Sequence, residues 1–264
     1  MLVNKLRGGI YLIIVLLMLS IGANAANFTA NADGDWGTAG TWLLTSGADA
    51  DGIPDADDTV TIPSPRVVTV SNAQSVQNLT VNGGGTLTIN GGAVLTLSGA
   101  APSSSFTNNG TTNGGGIFRT QGTTSISIGG TAFTAALEIG GTTTASTSTI
   151  GGSVTILNAA TLQTTNQTIT VNGDLTVNAG GSIIDTNSFV NANGANVTNN
   201  GSISVSSLRF GGTTNLSGSG TFTSGIAILT GSTTTLASDV TFGNGNVTTT
   251  SFSVIGGGTL AVGG

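Results

Sequence analysis

Leu79-Thr-Val-Asn-Gly-Gly-Gly-Thr-Leu-Thr-Ile-Asn-Gly-Gly-Ala-Val-Leu-Thr-Leu-Ser-Gly99 holds one short unit three times over. Leu79 to Val81, Thr86 to Ile89 and Val94 to Leu97 alternate apolar with polar residues, the two-residue period of a strand with one buried face. Asn82-Gly-Gly-Gly85 and Asn90-Gly-Gly92 separate them, and Asn and Gly accept the positive φ of tight turns. Similar strands joined by near-identical turns mark a solenoid, in which units stack and none folds alone. Alternation would also suit an antiparallel sandwich, but the connections of a sandwich differ in length. The expected fold is an all-β, right-handed parallel β-helix, or β-solenoid.

The pattern extends in both directions. Thr59 to Ile62, Val67 to Val70 and residues 76–81 alternate likewise, and Pro63 and Pro65 fall where a strand must end. Further on, Ile128, Ile139 and Ile150 are each followed by Gly-Gly at a spacing of 11 residues. Two such units predict a coil of about 22 residues. Residues 99–122 look less regular, with Asn108-Asn-Gly110 and Asn113-Gly-Gly-Gly116 turns and Phe106, Ile117 and Phe118 as apolar anchors. They are expected to form a side loop or irregular coil, and hence a contact region.

Composition supports strands over the alternatives. Charged residues are only 6% and mean hydropathy is +0.31, against the low hydropathy and high charge of disordered chains. Forty-three glycines disfavour long helices, since each interior Gly costs about 1 kcal/mol relative to Ala.

Residues 1–25 read as a signal peptide. Lys5 and Arg7 lead an apolar run from Ile10 to Ile21, and Ala23-Asn24-Ala25 is a small-x-small cleavage site. The competing reading is a membrane anchor, but the run is short of the roughly 20 residues that span a bilayer. Cleavage removes Lys5 and Arg7, which takes the net charge from −6 to −8 and leaves Arg66, Arg119 and Arg209 as the cations. Such a surface argues against nucleic-acid partners, and no later segment is apolar and long enough to span a membrane. The expected location is extracellular or at the cell surface. The chain has no cysteine, so packing and backbone hydrogen bonds must supply its stability.

Seven of the eleven acids lie between Asp33 and Asp58, together with Trp36 and Trp42. Residues 26–58 are therefore expected to cap the repeats of residues 59–264, with the indoles closing the first coil. The alternative for the indoles is stacking on carbohydrate. At the other end, Gly256-Gly-Gly-Thr-Leu-Ala-Val-Gly-Gly264 is one more strand between turns. The expectation is a rod that continues into, or stacks on, another domain.

Trp42, Gly52-Ile-Pro-Asp55, Asp58-Thr-Val-Thr-Ile62 and Leu79-Thr-Val-Asn-Gly-Gly-Gly-Thr-Leu87 together resemble the start of bacterial secreted β-helix repeat proteins. These include large adhesins and autotransporter-passenger-like surface proteins. The resemblance covers most of residues 36–264. It implies display at the cell surface, with outer-membrane association where a C-terminal domain supplies the anchor.

Reactive chemistry is sparse. Without His or Cys, neither a Ser-His-Asp nor a Cys-His arrangement can be built, nor a His/Cys zinc site. Glycoside hydrolysis needs two carboxyl groups about 5 to 10 Å apart. Glu138, Asp174, Asp185 and Asp239, with Arg119 and Arg209, are the candidates on the rod, and Asp174 and Asp185 are 11 residues apart. Each also reads as a solvated turn residue. Asp49-Ala-Asp-Gly-Ile-Pro-Asp-Ala-Asp-Asp58 resembles aspartate-rich calcium loops of the EF-hand, dockerin and thrombospondin type-3 kind. With Gly52 at the loop glycine, Asp49, Asp51, Asp55 and Asp58 fall on ligand positions and Ile53 offers its carbonyl, while Gly47 stands where the first Asp belongs. The bland reading is a polar turn into the first strand.

These observations favour a non-enzymatic exported protein that presents binding loops on a rod. Its expected partners are glycans, matrix or the surface of a host or neighbouring cell. Calcium is an optional cofactor. The alternative is a β-helix protein that binds or degrades polysaccharide.

Overall fold

The computed structural model describes residues 25–99, 103–129, 132–146, 148–223, 225–236, 252–254 and 259–262. They form an all-β solenoid of about eight turns. Each coil runs through three faces. The first face stacks Asn27–Ala30, Thr59–Ile62, Asn78–Val81, Ser104–Asn108, Thr123–Ile128, Thr142–Ala145 and Thr161–Gln163. The second stacks Gly34–Asp35, Val67–Val70, Thr86–Ile89, Thr111–Asn113 and Ala132–Phe133. The third is a 10-stranded sheet from Gln74–Val76 to Thr259–Val262. Farther along the rod, Ser182–Ala192 and Ser202–Phe210 run through the corner and join the first two faces.

Every pairing among the described strands is parallel except that of Asn27–Ala30 with Trp42–Ser46. Parallel stacking places like on like. On the third face Leu95, Phe118, Leu137, Val154, Leu175, Val197, Leu216 and Leu236 pair in succession, and all are buried. Each such side chain contributes about 1.5 to 3 kcal/mol by leaving water. The outward residues form matching polar columns, such as Thr155, Thr176, Thr198 and Ser217.

The coil is not two 11-residue halves. The step along the Leu95 column ranges from 17 residues (Leu137 to Val154) to 23 (Leu95 to Phe118). Ile128 lies on the first face opposite Asn108, Ile139 on the third opposite Thr120, and Ile150 opposite Val171. The 11-residue spacing therefore advances two faces at a time around a three-faced coil.

Residues 99–122 are also more regular than their sequence suggests. Ser104–Asn108, Thr111–Asn113 and Ile117–Thr120 are the three strands of an ordinary coil. The chain spends six residues between Leu97 and Ser104, against one between Val76 and Asn78. Phe106 and Phe118 stack at 4.4 Å between ring centres, and Phe133 meets both edge-on at 6.0 Å. This aromatic cluster fills the middle of the core.

The turns stack as closely as the strands. Gly114 has a φ of +106°, and a Cβ placed there would lie 2.0 Å from the Ile89 carbonyl oxygen. Gly91 has no such neighbour within 4 Å. Gly114→Ala should therefore destabilise the protein by more than about 2 kcal/mol, while Gly91→Ala should stay within about 0.5 kcal/mol. Urea denaturation of the two variants beside wild type measures the difference.

Candidate functional site

The described carboxylates gather at the N-terminal end of the rod. Asn27–Ala30 adds to the first face beside Thr59–Ile62, and Trp42–Ser46 then pairs antiparallel along its outer side. The reversal closes the parallel ladder at that end. Trp36 and Trp42 are buried and pack edge-on at 4.9 Å. The Trp36 indole N–H donates to the Pro54 carbonyl (3.1 Å) and that of Trp42 to the Trp36 carbonyl (2.7 Å). Both rings are thus consumed by the cap, and neither is available to stack on a sugar. Leu43 and Leu44, by contrast, point outward at 52% and 40% exposure.

The acidic loop folds through its own side chains. Asp49 accepts the N–H groups of Asp51 and Gly52, Asp51 accepts that of Ile53 (2.9 Å), and Asp55 that of Asp57 (3.3 Å). These Asx turns are local, which is why the run bends so tightly. Ser98 Oγ donates to the Ala56 carbonyl (2.6 Å) and ties the loop to the corner after Val94–Leu97.

Asp58 is the pivot. It is 1% exposed. Oδ1 accepts the N–H of Ala26 (2.7 Å) and Oδ2 that of Asp55 (2.8 Å). Its carbonyl accepts the N–H groups of Gln77 and Asn78, both at 3.0 Å. One residue thus joins the cap, the loop and the second coil. Asp49, Asp55 and Asp58 each place a carboxylate oxygen within 4.8 Å of the others. Asp51 is not part of this group, so the loop differs from the register of an EF-hand-type loop.

The cluster resists its own charge. Burial raises the Asp58 carboxyl above its ordinary value, and the charges of Asp55 and Asp49 push the same way. Asp55 is raised by its hydrogen bond with the Asp57 side chain, by burial and by the charges of Asp57 and Asp49. Three hard oxygen ligands held within 4.8 Å of one another are a donor set that suits a divalent cation of the calcium type.

The candidate residues on the rod have structural partners. Arg119 and Glu138 sit on adjacent coils of the third face as an ion pair, with Nη2 and Nε at 2.6 and 2.8 Å from Oε2. A pair this exposed contributes at most about 1 kcal/mol. Asp174 accepts the backbone and side-chain N–H groups of Asn196 at 2.9 and 3.0 Å, one coil farther on. Arg209 lies 3.6 Å from the centre of the Phe189 ring. Asp239 lies outside the described residues.

Asp185 has a role that its sequence context could have signalled. It sits at the register shift in Ser182–Ala192, where the chain turns from the first face to the second. Its carboxylate accepts the Ser188 hydroxyl (2.6 Å) and the N–H groups of Asn187 and Asn166. The Asp185-Thr-Asn-Ser188 pattern is typical of an Asx turn. Thr165 and Asn166, on the coil beneath, have φ values of 37° and 58°. Gln163, Thr165, Ile184, Asp185 and Ser204 line an open groove of about 390 Å³ at this corner.

The chain matches no family model, and no curated protein or solved structure is significantly similar to it.

The Ser188 hydroxyl, followed by the Asn187 and Asn166 N–H groups, holds the Asp185 carboxyl below its ordinary 3.8. A lowered carboxyl stabilises the fold fully above the unfolded value and loses that contribution as pH falls through the folded one. The melting-temperature gap between wild type and Asp185→Asn should thus be widest near neutrality and close below about pH 4. Thermal denaturation across pH 2.5 to 7 checks this, with those limits set by the carboxylate range.

Proposed function

We propose that this protein is a non-enzymatic, exported rod that acts at or beyond the cell surface as a structural or adhesive element. The observation that carries this reading is how the candidate reactive side chains are used. Arg119 is paired with Glu138, Asp174 holds Asn196, and Asp185 holds its own corner. Asp174 precedes a third-face strand, whereas Asp185 lies between the first and second faces. No two of these acids share a described contact that would serve as an acid and a nucleophile or base. The solenoid meanwhile offers long polar faces and loops on a stiff support. Likeness to bacterial adhesins and autotransporter passengers rests on the sequence patterns quoted above.

Glycan recognition is the second reading, favoured by the groove at the Asp185 corner. Gln163, Ser204 and Asp185 can exchange hydrogen bonds with sugar hydroxyls, and the partly exposed Ile184 supplies an apolar contact. Calcium would be held by Asp49, Asp55 and Asp58, where it would offset the repulsion in the loop and stiffen the cap.

One set of binding measurements tests the reading. The protein processed after Ala25 is applied to glycan arrays, matrix proteins and cells, with calcium and with chelator. Binding without turnover of polysaccharide is expected, and Gln163→Ala should weaken glycan binding while leaving stability within about 0.5 kcal/mol. Calorimetric calcium titration should show loss of binding in Asp55→Asn and little change in Asp51→Ala. Release of saccharide fragments would overturn the non-enzymatic reading.

A further inference from the structure

The Ala26 nitrogen occupies an unusual position. Ala26 is 1% exposed, whereas Ala25 is exposed. The Ala26 N–H donates to Asp58 Oδ1 at 2.7 Å, and the Ala26 carbonyl accepts the N–H of Thr59 at 2.9 Å. The residue is therefore held against the first coil on both sides. The bond that export cleavage would break, between Ala25 and Ala26, is the bond to this nitrogen.

We propose that hydrolysis of the Ala25–Ala26 peptide bond turns the Ala26 nitrogen into an α-ammonium that ion-pairs with the Asp58 carboxylate and fastens the cap to the rod. This rests on the export reading above. Water is the co-reactant and an export peptidase the catalyst. The C–N bond breaks, the hydroxyl goes to the Ala25 carboxyl and a proton to the departing nitrogen. The resulting amine takes a second proton at neutral pH.

Processing would thereby exchange a neutral donor for a charged one at an unchanged position. Charge-assisted hydrogen bonds are roughly twice as strong as neutral ones. The new cation would also face a carboxylate that lies within 4.8 Å of those of Asp49 and Asp55. Because Ala26 is buried in the fold, cleavage must precede docking of the cap.

The sequence supplies a clean probe. Lys5 is the lone lysine, so a chain cut after Ala25 carries a single amine, the α-amino group of Ala26. Intact mass first establishes the cut. An N-terminus elsewhere would refute both the export site and the proposal. The processed chain is then treated with an amine-acylating reagent, folded and in denaturant, under chelator.

The expected result is at least about tenfold slower acylation in the folded state, as burial and pairing protect the group. A chain beginning at Ala25, whose amine would lie in solvent, should label about as fast folded as unfolded and should melt at a lower temperature. In the Asp58→Asn background that melting difference should vanish. Equal labelling of the folded and unfolded Ala26 chain would overturn the proposal while leaving export intact. So would equal melting of the Ala25 and Ala26 chains, neither of which alters a buried side chain.

Discussion

In-register parallel stacking is the constraint on which the rest of the molecule depends. Among the described residues, every strand pairing except that of Asn27–Ala30 with Trp42–Ser46 joins strands on successive coils. Each inward side chain must therefore fit the one above and the one below. The Leu95 column satisfies this over eight positions, and the Phe106, Phe118 and Phe133 cluster shows the core taking larger groups without losing register. The same rule sets the surface, where Thr, Ser and Asn repeat in columns because their strands do.

That rule explains what the sequence revealed and what it hid. The alternation in Leu79 to Leu97 exposes the strands directly, because one buried face imposes a two-residue period. Coil length is hidden, because the ladder constrains strands and leaves corners free. Steps of 17 and 23 residues stack equally well when the difference is absorbed at a turn. Residues 99–122 looked irregular for the same reason: extra residues at one corner shift the numbering without disturbing the pairing of Phe106 with Leu79. The spacing of Ile128, Ile139 and Ile150 misled in the opposite sense, since an apparent half-coil crosses two of three faces.

Residues 26–58 stand apart in the sequence, but the contacts within them are not legible there. Clustered acids and two tryptophans distinguish residues 26–58 by composition. Burial of both indoles and the strand reversal at Trp42–Ser46 explain why. Four aspartates matched a calcium-loop spacing, yet three come together, because Asp51 turns back to the Ile53 N–H. The link from Asp58 to Ala26 spans 32 residues and leaves no local sign in the sequence. Asp185 was visible as a candidate acid, while its structural work at a corner depends on Asn166 one coil away.

The absence of cysteine permits a direct test of the register. Thr155 and Thr176 are neighbours on adjacent coils of the third face, and Thr198 lies one coil farther. Adjacent strands are about 4.8 Å apart, within the Cα separation of a disulfide, whereas two coils span about 9.6 Å. The Thr155→Cys/Thr176→Cys variant should oxidise to an internal disulfide, seen as a loss of two mass units' worth of hydrogen and of free thiol. Thr155→Cys/Thr198→Cys should keep both thiols. Closure of the second pair in place of the first would contradict the stacking on which this account of the fold rests.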